Sequence, residues 1–271
     1  MHRCSIKLQE PKRINRANKL SGKDWLKKSI SIWTIKKSNE EKALDHPAIF
    51  PVELVQNLLL CFANPNCKIV LDPFCGVGST LVAACKLNYF AIGFEIYEKY
   101  IQQAEMRLTA KKFANKYKIY KDSALNIVNY IQPGTVDIAI TSPPYWNILN
   151  RKRTVDRKKS NNYGKLNTDI GNINDYFLFL KKLTEILVKV ATTLRSGAYF
   201  LINVMDIRVK SKFYPFHSDL YYHVERNTNM FLDDIIIWDR RMDYNNLKPL
   251  GYPYKFRINR VHEYILIFQK K

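Results

Sequence analysis

No apolar run in the 271-residue chain approaches the ~20 residues that a membrane-spanning helix needs. The amino terminus, Met1-His2-Arg3-Cys4, lacks the apolar core of a signal peptide. The chain is therefore expected in the cytoplasm, with no membrane partner. Cysteine is scarce. Cys4, Cys61, Cys67, Cys75 and Cys85 form no Cys-x-x-Cys pair and have no histidine at ligand spacing, so no metal site and no disulfide framework is expected. Acidic residues are few as well: 24 against 44 Lys and Arg leave a formal net charge of +20, beyond what solubility requires. A polyanion is the natural partner, and nucleic acid is the first candidate.

What is present reads as one large core, because 46% of the residues are hydrophobic and α/β chains of this length are commonly one domain. The expected division is a basic arm at 1–45, lying on the rest through Trp25 and Trp33 behind a disordered tail, and a single domain at 46–271. Pro51 suits the first turn of a helix whose Leu54, Leu58, Leu59 and Phe62 share one face. From Lys68 onward, strands and helices alternate. Strands are expected over 68–74, 89–96, 117–121, 136–141, 198–204, 235–238 and 261–268. Helices are expected over 79–87, 98–113, 125–130 and 216–227, with a further one that Asp175 caps and that runs to Leu194 before Gly197. This is the alternation of a mostly parallel sheet with helices on both faces.

Two strand ends carry chemistry. Asp72-Pro73-Phe74-Cys75-Gly76-Val77-Gly78-Ser79-Thr80 ends one strand and opens a helix, with Gly76 and Gly78 letting backbone approach a ligand. No Lys follows these glycines as in a P-loop, which argues against nucleoside triphosphate hydrolysis. Glu95 ends the next strand, where a carboxylate can accept from both hydroxyls of a ribose. Asp122 ends the third and either accepts from an adenine amino group or caps a helix. The second feature, Thr141-Ser142-Pro143-Pro144-Tyr145-Trp146, closes the apolar run Val136 to Ile140. Paired prolines cannot continue a ladder, so they make a stiff turn with free acceptors beside an aromatic ring, or simply a proline-ended strand whose rings are packing.

Together these segments resemble the amino-group DNA methyltransferases that use S-adenosylmethionine. The glycine loop is similar to their cofactor loop and Thr141 to Trp146 to their catalytic turn, while His46-Pro47-Ala48-Ile49-Phe50-Pro51 looks like the segment that closes over the cofactor's methionine end. The resemblance implies a Rossmann-like class I methyltransferase fold: a mostly parallel seven-stranded sheet, an antiparallel last strand and helices on both faces. It implies cofactor contacts from Phe50, Pro51, Asp72, Pro73, Phe74, Gly76, Gly78, Ser79, Thr80, Glu95 and Asp122. Catalytic roles fall to Ser142, Pro143, Pro144 and Tyr145. Ser at the head of the turn is typical of cytosine-N4 enzymes and Asp or Asn of adenine-N6 enzymes, so cytosine N4 in duplex DNA is favoured and adenine N6 is the alternative. Cytosine C5 chemistry would need a nucleophilic Cys after a Pro, and no Pro-Cys dipeptide occurs.

No separate target-recognition domain is evident, so DNA contact is assigned to surface segments. The basic loop at 147–174 offers Arg151, Lys152, Arg153, Arg157 and Lys158 beside Trp146. The stretch Asp239 to Asn259 interleaves Arg240, Arg241, Lys248, Lys255 and Arg257 with aromatics such as Tyr252, a pattern that suits phosphate contact and base stacking, or a solvated hairpin. His46, His217, His223 and His262 need no catalytic role. A restriction-modification pair with a companion endonuclease, or epigenetic marking, fits this reading. An RNA base methyltransferase and an inactive nucleic-acid-binding relative are the competing readings.

Overall fold

In the computed structural model, residues 16–46, 49–150, 164, 166–243, 247 and 249–271 are described. The arm forms α1 (Gly22–Lys28), β1 (Ile32–Trp33) and α2 (Asn39–Lys42), and α3 (Val52–Phe62) follows. Then β2 (Ile69–Asp72), α4 (Ser79–Lys86), β3 (Phe90–Phe94), α5 (Glu98–Ala110), β4 (Tyr117–Tyr120) and β5 (Val136–Thr141) alternate as the hydrophobic pattern requires. The chain continues through α6 (Tyr176–Thr193), β6 (Leu194–Val204), β7 (Ile207–Val209), β8 (Lys212–Tyr214), α7 (Phe216–Asn227), β9 (Met230–Asp239) and β10 (His262–Lys270).

One sheet of eight strands runs in the order β1-β9-β10-β6-β5-β2-β3-β4. β10 is antiparallel to both β6 and β9, and the other pairings are parallel. Seven of these strands are the expected ones. The eighth is β1, which the arm adds in parallel to the edge of β9, pairing Trp33 with Trp238. Trp33 is buried and donates its indole N–H to the Lys28 carbonyl, but Trp25 is 41% exposed, so the arm is seated by one tryptophan and not two. The other seat is Trp238, whose ring nitrogen donates to the Ile35 carbonyl.

β5 is buried at every position because it lies mid-sheet with both faces covered, and its one acid, Asp137, accepts from Lys68 N and Ile69 N and pairs with Arg195. On one face, Leu54, Val55, Leu58 and Leu59 of α3 pack with Leu81 and Val82 of α4. On the other, Phe179, Leu183 and Leu187 of α6 meet Phe200, Phe268 and Leu220 of α7. Each such side chain, fully buried, stabilises the fold by about 1.5–3 kcal/mol against exposure. Asp175 caps α6, its carboxylate accepting from Leu178 N at 2.7 Å. The helix expected near 125–130 is instead a 3-10 turn at Ala124–Asn129, capped by Ser123. The β7–β8 hairpin escapes the sequence reading because three-residue strands carry too little periodicity. Cys61, Cys67, Cys75 and Cys85 are buried free thiols, and burial pushes Cys61 and Cys85 up to about 11 and Cys67 up to about 12.

Candidate active site

The carboxyl ends of β2, β3, β4 and β5 open onto one shared cleft, the place where ligands bind in open α/β sheets. The β2–α4 loop forms its floor. Gly76 and Gly78 sit at φ +49° and +77°, and a Cβ on Gly78 would stand 2.9 Å from the Ala104 Cβ of α5. Only glycine meets both demands there. Arg107 of α5, itself buried, donates to the Val77 carbonyl at 2.5 Å and holds the loop against the helix.

Glu95, one residue past β3, braces this loop from the side. Its Oε2 accepts from Gly76 N at 3.0 Å, and its Oε1 accepts from Ile96 N at 2.9 Å and Tyr97 N at 2.8 Å. Burial pushes its carboxyl up to about 7 against the pull of those three N–H groups. Asp72 is buried too and is pushed up to about 6 by that burial, with the Thr80 and Thr141 hydroxyls and the Phe74 N–H opposing. Its favourable contribution to folding is therefore present below the ordinary value of 3.8 and is lost as pH rises through about 6. The Thr141 hydroxyl donates to Asp72 Oδ1 at 2.7 Å, so the head of the Ser-Pro-Pro-Tyr turn is bolted to the glycine loop.

Most of the residues expected at a cofactor border this cleft: Phe50, Asp72, Pro73, Phe74, Gly76 and Ser79, together with Thr80, Glu95 and Asp122. Pro51 and Gly78 stand behind the wall, Pro51 as the cap residue of α3 and Gly78 as that of α4. Asp122 accepts from Ser123 N, Asn126 Nδ2 and Tyr130 Oη, and these bonds hold its carboxyl below the usual value despite some burial. It is thus a local brace and a cleft residue at once. Sequence reading missed Tyr97 and Asp169, whose side chains meet at 2.8 Å on the cleft's rim. Nothing in their spacing marks them, since 72 residues separate the pair.

Ser142 and Pro144 of the turn also face the cleft, while Pro143 is buried. Tyr145 points the other way with its hydroxyl, into a polar cluster at β6 and β10: it donates to Glu263 Oε2 at 2.6 Å and accepts from Asn203 Nδ2 at 2.8 Å. Trp146, expected at the nucleic acid, is only 5% exposed and packs edge-on against Tyr176 and Tyr214 at ring separations of 5.3 and 5.0 Å. Its φ of +54°, uncommon for a bulky residue, turns the ring inward.

The basic surface falls into three parts. Arg151, Lys152, Arg153, Arg157, Lys158 and Lys248 lie outside the described residues. Arg240 is drawn inward to Glu263 and Asp243 and lies over the Trp238 ring, so most of its capacity is used within the protein. Arg241 pairs with Asp239 at 2.7 Å yet keeps 71% of its side chain exposed. Tyr252, Tyr254 and Phe256 are 78%, 91% and 93% exposed, with Lys255 exposed and Arg257 half-buried among them. The β7–β8 hairpin adds Arg208, Lys210, Lys212 and an exposed Phe213, over which both Arg208 and Arg260 stack. Tyr214, the hairpin's last residue, touches Trp146 and so ties this surface to the turn.

Comparison with known proteins agrees with this geometry. The sequence profile of the N6/N4 family described as DNA methylase matches residues 3–106 and 136–271. The chain is 31% identical to the type II methyltransferase M.BglII of Bacillus subtilis over 103 residues, which are 37% of this chain and 28% of that protein. It is 39% identical to the orphan methyltransferase M.BamHII of Bacillus amyloliquefaciens over 84 residues, 29% of this chain and 31% of that one. The chain thus spans less than a third of the length of these two relatives. In structure it is similar to TrmN of Thermus thermophilus, with a TM-score of 0.50 at 13% identity over 83% of this chain and 50% of that chain, a likeness of fold alone. Since the family profile covers both the glycine loop and the Ser-Pro-Pro-Tyr turn, the chain belongs to the N6/N4 DNA methylase family, whose methyl donor is S-adenosylmethionine.

Proposed function

We propose that this protein methylates the exocyclic N4 amino group of cytosine in duplex DNA. The observation that carries this reading is the placement of Ser142 at the end of β5, facing the cleft that Glu95 and the glycine loop border. The cleft fits the cofactor on two counts: a carboxylate positioned for ribose hydroxyls, and a glycine at 76, where a Cβ would come within 3.0 Å of His46 Nε2. Glu95 would hold the ribose, the apolar walls of Phe74 and Ile96 would flank the adenine, and Asp122 would accept from its amino group. When bound, the cofactor supplies an electrophilic methyl group.

The residues of the turn prepare the nucleophile. An exocyclic amino nitrogen is weak because its lone pair is delocalised into the ring. Acceptors on its hydrogens localise that pair on nitrogen, and the Ser142 oxygen and Pro143 carbonyl take this role. Tyr145 stacks on the base once it is flipped from the duplex. Positioning then accounts for most of the rate, with no general-base histidine required. His217 in particular is structural: its Nδ1 sits 2.6 Å from Asp206 Oδ1 and its ring stacks on Tyr264. Incubation of the protein with labelled cofactor and either duplex DNA or structured RNA tests the substrate class: transfer to DNA supports the reading, and transfer to RNA alone contradicts it.

Glu95 gives this reading a pH signature. A carboxylate accepts from both ribose hydroxyls, whereas its protonated form loses one acceptor, so cofactor binding should strengthen as pH rises through about 7. The dissociation constant is expected to fall about tenfold between pH 6 and pH 8, and in Glu95→Gln this component of the dependence should vanish. Calorimetric titration across that range reads both.

We assign duplex contact to the β7–β8 hairpin, the 249–259 segment and the basic loop after the turn. Lys210 and Lys212 are exposed at the hairpin's tip. If they contact phosphates, replacing both by Ala should weaken binding to any duplex and reduce the slope of log affinity against log salt by about 2. An unchanged slope would remove the hairpin from the interface. Adenine N6 is the second reading, since the same turn can present either amino group.

A further inference from the structure

Behind the turn lies a polar cluster whose hydrogens can be counted. Glu263 is 3% exposed on β10 and Asn203 1% exposed on β6, each adjoining the apolar middle of its strand. Three donors converge on the Glu263 carboxyl: Arg240 Nη1 on Oε1, and Tyr145 Oη and Asn203 Nδ2 on Oε2. This is the pattern of a carboxylate, which only accepts. Tyr145 has one hydroxyl hydrogen, and it goes to Glu263 at 2.6 Å. Burial, and then the neighbouring Glu263 charge, hold that hydroxyl well above its ordinary value, which keeps the hydrogen in place. Asn203 has two amide hydrogens, placed on Glu263 and, at 2.8 Å, on the Tyr145 oxygen. Two contacts remain at Ser142 Oγ: Tyr145 Oη at 3.0 Å and, longer, Asn203 Nδ2 at 3.5 Å, from which Ser142 can only accept. Tyr145 has no hydrogen left to give, so Ser142 donates to it.

We propose that Glu263 is a positioning residue that acts through the Tyr145 hydroxyl: it fixes the direction of the hydrogens so that Ser142 donates inward and keeps a lone pair for the cleft. The inference rests on the reading of Ser142 as the acceptor for a base amino group. A free serine hydroxyl would present its hydrogen to that amino group part of the time and repel it. Here the inward bond removes that option. The buried charge is compensated by Arg240, which gives this arginine a task inside the protein.

The test is a double-mutant cycle on methyl transfer to duplex DNA. Glu263→Gln puts an amide where one carboxylate oxygen was, so the Tyr145 hydrogen can swing to Ser142 and reverse the chain. It should lower kcat about tenfold or more while cofactor affinity stays within about twofold. Tyr145→Phe keeps the ring and breaks the chain, so it should lose a similar factor even if the Glu263 variant folds poorly. On a Ser142→Ala background, followed by residual labelled transfer, neither change should cost more than about twofold. Undiminished kcat in both single variants overturns the inference, as does an equal loss with and without Ser142, which would mark a merely structural role. If the wild-type protein methylates no amino group at all, the reading of Ser142 falls and this inference with it; a methylating wild type with an insensitive Glu263 and Tyr145 defeats the inference alone.

Discussion

Glu95→Ala is expected to weaken S-adenosylmethionine binding about a hundredfold or more, since hydrogen bonds to a charged acceptor contribute ~1.5–3 kcal/mol each and two ribose hydroxyls would lose theirs. The loss has a second source. Glu95 also fastens Gly76 N, Ile96 N and Tyr97 N, so the alanine leaves the glycine loop without its brace. Glu95→Gln keeps one oxygen for these contacts and should fall between the two. Calorimetry on the purified protein separates them, and a loss within about threefold for Ala would mean that the ribose is not held at β3. Turnover at saturating cofactor should recover more than affinity does, because Glu95 touches no reacting atom.

The other large effect is expected at Tyr145. Tyr145→Ala removes the ring that would stack on the flipped base, worth ~1–3 kcal/mol by comparison with other base-stacking aromatics. It also leaves the Glu263 carboxylate and the Asn203 amide without their shared partner. Turnover should drop about a hundredfold to a thousandfold, with a stability loss of roughly 1–3 kcal/mol from the buried groups left unsatisfied. Cofactor affinity should stay near normal, since Tyr145 does not border the cleft. Single-turnover kinetics and thermal unfolding measure the two losses. Full methylation activity with normal cofactor affinity would remove Tyr145 from the base site.

The core strands and helices were legible because their apolar patterns are long and alternate in period, as in β5 and α6. Their ends were legible through Gly78, Asp175 and the paired prolines, residues with narrow backbone or capping roles. The arm was harder. β1 is only two residues long and is a strand because β9 offers it an edge, a tertiary cause that no local pattern records. At the site, residues adjoining ligand-binding strand ends could be named, whereas Glu263, Asn203 and Asp169 could not. Glu263 stands 118 residues from Tyr145, and its pairing follows from the antiparallel return of β10 beside β6. A lone acid at the head of the apolar run Tyr264 to Phe268 was the one available signal. Trp146 shows the reverse failure: an aromatic beside a catalytic turn looked like a base contact, yet its backbone φ and two tyrosine neighbours seat it in the core.

The central claim is the base and atom that receive the methyl group, and Ser142 is the residue on which the choice of cytosine depends. DNA from cells producing the protein, digested to nucleosides and resolved by mass and retention, tests it most directly. N4-methylcytosine, strongly reduced in cells producing Ser142→Ala, is the outcome the account predicts. N6-methyladenine alone, or methylated RNA with unmodified DNA, would contradict it.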